Sequence, residues 1–451
     1  MLSKFSVSNF LSIKNELEIS FNHAYNSAGI FKDNILFEYY ENTRKRAILN
    51  GSLLLGANAS GKTNILLALR IMREYFMNSI SFLTPDDIEL PLVPYKFDDN
   101  HLSKFNIEFV AELISANTND PQSYFINYEF SFDHSSQKIE YEALYYRKVL
   151  KTKLDQPVYI FKRSYDVIDF VSPEISQILE KIKQENIAHK LVLSLILFDI
   201  NRTFYQQEIQ TLSFEIAETC GEFLVDKLLF DTSSDNLNEF TQEVNKNQVF
   251  KKYILQNLNN FDFALTDFKI EDVTDDVLTS LSTADFFNGM PATIQKKMLN
   301  DARKNKHYRI ETIHHVEDVN HTLPMGIESA GTRKFLANSL PIYESILNGG
   351  IYISDEFESH YHFRLQEGII NNFLNEGKEN RAQFLLVTHN PYLLNPDFFA
   401  KEQIYFVDKD REAESTLVFS LKEFKEITYN NHNWSQLYIK GKLGAVPEVI
   451  F

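Results

Sequence analysis

The run Gly56-Ala57-Asn58-Ala59-Ser60-Gly61-Lys62-Thr63 limits the folds open to this chain more than any other stretch. It fits G-x-x-x-x-G-K-[ST], a loop that works only between a strand and a helix. Both are legible. Ile48-Leu49 and Ser52-Leu53-Leu54-Leu55 read as a short buried strand before it, and Asn64 to Met72 read as a helix after it. A helix N-terminus offers unpaired N–H groups and the positive end of a dipole, which suits phosphate. Gly56 and Gly61 let the backbone curl until successive amides point inward. Lys62 would bridge the β- and γ-phosphates of a nucleotide, and the Thr63 hydroxyl would hold Mg²⁺. The expected nucleotide contacts are Gly56, Asn58, Ala59, Ser60, Gly61, Lys62, Thr63 and Asn64.

The charge balance narrows the partners. Lys and Arg total 45 against 62 for Asp and Glu, a formal net of −17. So acidic a chain is a poor candidate for broad nucleic-acid binding, although a local basic groove stays open. One cysteine, Cys220, excludes an intrachain disulfide and suits a reducing cytosol. The opening residues alternate like a strand, so no signal peptide is expected. The longest apolar run, near Leu191 to Phe198, is too short to span a bilayer.

Residues 1–150 read as the first half of a nucleotide-binding domain, rich in strands. Phe5 to Phe10 and Leu17 to Phe21 suggest a hairpin. Phe105–Val110, Tyr124–Phe130 and Ile139–Tyr146 suggest consecutive antiparallel strands, with turns at Asn117–Pro121 and Asp133–Ser136. From Ser172-Pro173-Glu174, a helix-start signal, the period changes. Ile175, Ile178, Leu179 and Ile182 follow helical spacing, and helical patterns recur to about 306. Residues 151–306 are therefore expected to be a mainly helical insert, too short for a long coiled-coil arm. Residues 307–451 are expected to complete the α/β domain. There a helix runs from Ser329-Ala330-Gly331-Thr332 to Asn348-Gly349-Gly350, Ile351–Ile353 forms a strand, and Gln383–Thr388 forms another beyond a second helix. That order implies a parallel sheet with helices on its faces.

Asp355 and Glu356 end the first of these strands, where ligands bind in open α/β sheets. Adjacent acids there are poor core residues. Beside a phosphate loop, Asp355 is expected to hold the Mg²⁺ shell, and Glu356 to orient and deprotonate a water. His389 ends the next strand and is expected to reach the same phosphate as a donor. Ser329 and Gly331 stand at a helix start, a second ready anion site, although such a Ser-x-Gly is more often just a helix cap. Two other groups attract notice. His314, His315 and His321 with Asp318 read as surface residues, because adjacent strand histidines face opposite ways. Asp408 and Asp410 read as a turn after a strand. The stretch after His389 is short beside a domain of about 100 residues, so no fused nuclease is expected.

Taken in order, Gly56–Thr63, Glu328-Ser329-Ala330-Gly331-Thr332-Arg333-Lys334, Asp355-Glu356 and Thr388-His389-Asn390 resemble the motifs of an ABC/SMC-type ATPase head. Within that class the chain resembles bacterial ATP-binding proteins of the RloA, AbiLi and AriA kind, from phage-defence systems. Val7–Ile13 resembles the family's first strand, and Phe357–His362 stands at its D-loop. Tyr438 to Pro447 is similar to its C-terminal Gly-Arg/Lys-x-Gly-Ala-x-Pro ending. Phe363 departs from the proline often found after the D-loop histidine.

The resemblance implies an ABC-type P-loop head with a mixed sheet, flanking helices and an inserted helical lobe. It implies a cytoplasmic Mg²⁺-dependent ATPase working as a homodimer or higher homo-oligomer. Ser329 and Gly331 of one subunit would close over ATP held by the other. A separate effector, nuclease-like in some relatives, and a phage-encoded trigger are the implied partners, in an abortive-infection or toxin–antitoxin-like setting. A DNA-repair ATPase of the SMC kind and a non-hydrolysing, ATP-locked scaffold remain alternatives.

Overall fold

Strands with no exposed residue signal a sheet covered on both faces. Gly51–Gly56, Ile351–Ser354 and Gln383–Thr388 are each buried throughout. They lie in the computed structural model, which describes every residue except 25–31, 115–119, 179–185, 199–210, 234–235, 305, 430–432 and 448–451. The turn expected at 117–121 and the helical positions Leu179 and Ile182 fall wholly or partly outside the described residues. The chain forms two units, one of Met1–Phe230, Glu344–Glu358 and Ile369–Phe451, the other of Asp231–Tyr343 and Ser359–Gly368.

Among the described residues, the first unit holds three sheets. Its antiparallel sheet has the order β11-β10-β9-β8-β7-β1-β2, from β1 (Leu2–Ser8), β2 (Leu17–Ser20), β7 (Leu102–Ile114), β8 (Pro121–Asp133), β9 (Lys138–Lys148), β10 (Val158–Ser164) and β11 (Val167–Val171). Alternation explains it. Phe105, Ile107 and Phe109 of β7 point into the core, while Asn106 hydrogen-bonds Glu129 across the other face. A small sheet, β3-β5-β4, comprises β3 (Asn22–Ala24), β4 (Ile35–Glu41) and β5 (Arg44–Leu49). The single strand expected at 48–55 is thus two. The chain leaves one sheet at Leu49 and enters another at Gly51.

That other sheet has the order β12-β16-β17-β6-β18-β19. It comprises β6 (Gly51–Gly56), β12 (Leu228–Phe230), β16 (Ile351–Ser354), β17 (Gln383–Thr388), β18 (Ile404–Asp410) and β19 (Ser415–Ser420). All neighbours but the last pair are parallel, so β6, β16 and β17 end along one edge. Helix α1 (Lys62–Asn78) buries Ile65, Leu66, Leu69, Met72, Tyr75 and Phe76, a girdle too wide for a surface helix. Tyr75 meets Phe82 at 5.3 Å and Phe130 at 5.6 Å, and its hydroxyl donates to the His189 carbonyl at 2.8 Å.

One buried ion pair ties this core to a short helix, α2 (Val192–Phe198). Glu142 accepts from the Val192 and Leu193 amides at 2.7 and 3.0 Å and from the Tyr128 hydroxyl at 2.9 Å. Arg163 Nη1 lies 3.8 Å from Glu142 and donates to the Ile187 and Lys190 carbonyls. Burial raises the Glu142 pKa and lowers that of Arg163. Removing one partner strands a buried charge, so Glu142→Ala is expected to cost about 3–5 kcal/mol, read from the shift of a urea-unfolding curve.

The first unit also contains α3 (Leu212–Glu222), and the second opens with α4 (Asn238–Lys246) and α5 (Gln248–Asn260). Asn247 caps α5 by accepting from the Val249 and Phe250 amides. Next come β13 (Asp267–Asp272), α6 (Thr274–Thr283), α7 (Asp285–Asn288), α8 (Ala292–Lys304), β14 (Tyr308–Val316) and β15 (Val319–Pro324). The strands pair antiparallel as β13-β14-β15. Aromatic rings fill this unit's core: Phe250 meets Tyr343 at 4.9 Å, and Phe263 meets Phe335 at 5.0 Å. Three further helices are α9 (Ala330–Asn348), α10 (Phe363–Asn375) and α11 (Trp434–Ile439). The boundaries expected near 150 and 306 differ from those of these units, between which the chain passes after Phe230, Tyr343, Glu358 and Gly368. β10 pairs with β9 and so extends the antiparallel sheet past residue 150.

Candidate functional site

The phosphate-loop residues begin at the last residue of β6 and end in the first turn of α1. Ala59 takes φ 61° and Gly61 φ 103°, so the chain passes twice through left-handed conformations. Only glycine is at ease at the second. The loop is braced from below by a hydroxyl chain. Asn64 Nδ2 donates to Ser12 Oγ at 2.7 Å, Ser12 lies 2.7 Å from Thr416 Oγ1, and Thr416 donates to the Ser60 carbonyl at 3.0 Å. Neither brace was singled out in the sequence: isolated hydroxyls carry no pattern, and Thr416 lies far from the loop along the chain.

Lys62 is only 5% exposed. Its ammonium donates to the Gly56 and Ala57 carbonyls at 2.9 and 2.7 Å, inside the curve of the loop. Burial lowers its pKa, opposed by the charges of Asp355, Glu358 and Glu356. Those acids follow β16, two strands away from β6 with β17 between. Thr63 Oγ1 donates to Asp355 Oδ2 at 2.6 Å, so the two expected cation ligands touch. Glu356 is exposed and takes φ 43°, an uncommon value for a side chain of its size. Its amide donates to Asp355 Oδ1 at 3.0 Å.

His389 is exposed just past β17, at the same sheet edge. Its amide donates to Glu358 Oε1 at 2.8 Å, and the Phe357 amide donates to the Val387 carbonyl at 2.9 Å. The loop, Asp355, Glu356 and His389 therefore gather within the first unit. Ser329 and Gly331 belong to the second. There Ser329 Oγ accepts from the Thr332 amide at 3.1 Å, capping α9. A Cβ on Gly331 would come within 2.6 Å of the His360 carbonyl, so only glycine fits.

Two readings need correction. His314 is not a free surface group: its Nε2 lies 2.8 Å from Glu328 Oε1, just before Ser329, and Thr312 donates to the same oxygen at 2.5 Å. β14 turns His314 inward, whereas His315 faces out to Asn320. Asp408 and Asp410 lie within β18 rather than in a turn after it. Asp408 Oδ2 accepts from the Ala445 amide at 3.0 Å, and Asp410 Oδ1 from the amides of Glu412 and Ala413.

The donor set suits a nucleotide and a hard cation. A hydroxyl and a carboxylate oxygen are the ligand types Mg²⁺ prefers. The buried Ser60 hydroxyl has no hydrogen-bond partner among the described residues, so the loop retains an unsatisfied polar group beside a buried cation. Residues 52–395 match the family model described as "AAA domain, putative AbiEii toxin, Type IV TA system". The chain belongs to that family. Within the matched residues, the phosphate loop and the acidic strand end stand at one edge of the parallel strands, with the strand of His389 between them. Similar solved structures include an Smc head bound to the C-winged helix domain of ScpA, at TM-score 0.40 and 9% identity, covering 94% of this chain and 99% of that one. Another is the SMC head domain from Thermotoga maritima, at TM-score 0.37 and 11% identity, covering 93% and 98%. No curated protein matches the sequence. Among the described residues, no helix is long and apolar enough to cross a membrane.

Proposed function

We propose that this protein is a Mg²⁺-dependent ATPase whose nucleotide gates the joining of two heads, acting in a bacterial anti-phage system of the RloA, AbiLi and AriA kind. The observation that carries the reading is the 2.6 Å contact between Thr63 and Asp355, which brings the phosphate loop and the acidic strand end together. Lys62 and the amides of the loop bind the β- and γ-phosphates. Thr63 and Asp355 would hold Mg²⁺, which when bound neutralises charge on the phosphate oxygens. Glu356 orients a water and takes its proton, and His389 donates to the γ-phosphate. Ser329 and Gly331 act on the nucleotide of a partner copy, so binding joins two heads and hydrolysis parts them. A separate effector responds to that switch, and a phage product triggers it.

The test is phosphate release by the purified chain over a Mg²⁺ titration. Turnover that needs Mg²⁺ is expected. Asp355→Asn is expected to raise the half-saturating Mg²⁺ concentration roughly tenfold or more, a loss of about 1.4 kcal/mol in cation binding. ATP binding without release would favour the ATP-locked scaffold, and turnover indifferent to Mg²⁺ would remove Asp355 from its role.

A further inference from the structure

Glu358 has no part in the mechanism above, yet it sits between two of its members. Its Oε1 accepts the His389 amide at 2.8 Å. Its Oε2 is buried and has no hydrogen-bond partner among the described residues. A buried carboxylate oxygen without a donor is costly, so the side chain is held there by what its other oxygen does. One residue earlier, the Phe357 amide donates to the Val387 carbonyl, and the Phe357 ring is fully buried. Two hydrogen bonds thus join the segment after β16 to the end of β17. The first is backbone to backbone and independent of side-chain identity. The second depends on Glu358 alone. The charge of Glu358 also opposes the lowering of the Lys62 pKa by burial.

We propose that Glu358 is a positioning residue: it fixes the backbone of His389, so that the imidazole stands where the γ-phosphate will be, and couples that placement to the strand end bearing Asp355 and Glu356. The inference rests on the ATPase reading. Without the tether, the residues past Thr388 lose the bond that sets the imidazole's height above the sheet edge. Small displacements of a catalytic donor cost much in rate and little in binding.

The experiment uses the full chain with Glu358→Ala, Glu358→Gln, His389→Ala and the double alanine variant. Glu358→Ala is expected to lower kcat about 10²-fold while the Kd for ATP stays within about threefold. The double variant should be no slower than His389→Ala alone, because both losses act through one side chain. Glu358→Gln should recover most of kcat, since its amide oxygen still accepts from the His389 amide. Hydrogen exchange across 388–390 should quicken in Glu358→Ala and not in Glu358→Gln, with exchange of α1 unchanged. Additive losses, or a glutamine variant as slow as alanine, would overturn the tether. Should the wild type release no phosphate, the ATPase reading fails separately, and exchange alone decides: unchanged protection at 388–390 in Glu358→Ala overturns the inference.

Discussion

Glu356→Gln is expected to cut phosphate release about 10²- to 10⁴-fold, the range for loss of a general base, while ATP stays bound. The geometry makes this substitution unusually clean. Glu356 is exposed, and the hydrogen bond that settles its backbone runs from its own amide to Asp355 Oδ1 at 3.0 Å. Glutamine keeps that amide, the side-chain length and the shape. It loses the negative charge, and with it the ability to take a proton. The φ of 43° is retained as well, so the strand end keeps its turn and Thr63 keeps Asp355. Because hydrolysis is the step that parts two heads in the proposed cycle, the variant should accumulate as an ATP-bound dimer. Single-turnover phosphate release and light scattering after gel filtration, with and without ATP, give both readouts. Release at the wild-type rate would move the base to another residue. Slow release without dimers would leave the chemistry intact and remove the gating. Thermal stability should hardly change, since the side chain is exposed and glutamine keeps its shape.

Much of the first unit was legible because its strands obey simple rules. β6 and β17 are buried without interruption and carry the apolar runs Leu53–Leu55 and Phe384–Val387, as parallel strands between helices do, and β7, β8 and β9 alternate. The loop, Asp355, Glu356 and His389 could be read because each ends such a strand. The failures have physical causes too. Asn50 lets the chain change sheets within one apolar run, and a change of sheet leaves no trace in hydrophobic period. β10 and β11 are short, and on β11 no residue is fully buried, so neither shows a clear two-residue period. The sequence neighbours of His314 do not reveal its partner, because Glu328 follows the β14–β15 hairpin. The hydroxyl brace was harder still, because Ser12 and Thr416 meet only once β19 has paired with β18 beside β6.

That brace makes Gly61→Ala the second large effect. At φ 103° an L-residue is strained, by roughly 1–2 kcal/mol from the Cβ–carbonyl approach alone. Space is the graver problem: the new Cβ would stand 1.9 Å from Thr416 Oγ1, 2.8 Å from Ser12 Oγ and 3.1 Å from Thr416 Cβ. Ser12 can rotate away at the loss of one hydrogen bond. Thr416 cannot easily do so, because β19 fixes its backbone, its side chain is branched, and its hydroxyl holds the Ser60 carbonyl. Overpacking of this kind costs about 1–3 kcal/mol, and it falls on the loop that binds phosphate. ATP affinity is therefore expected to drop about 100-fold or more, measured by calorimetric titration, with the unfolding midpoint also lowered. A second substitution separates the two causes. Gly61→Ala with Thr416→Ala removes the 1.9 Å clash but leaves the left-handed strain and the loss of the Ser60 contact. Part of the affinity should return, and not all of it. No recovery would mean that backbone strain alone governs the loop; full recovery would mean that Thr416 acts only as an obstacle and not as a brace.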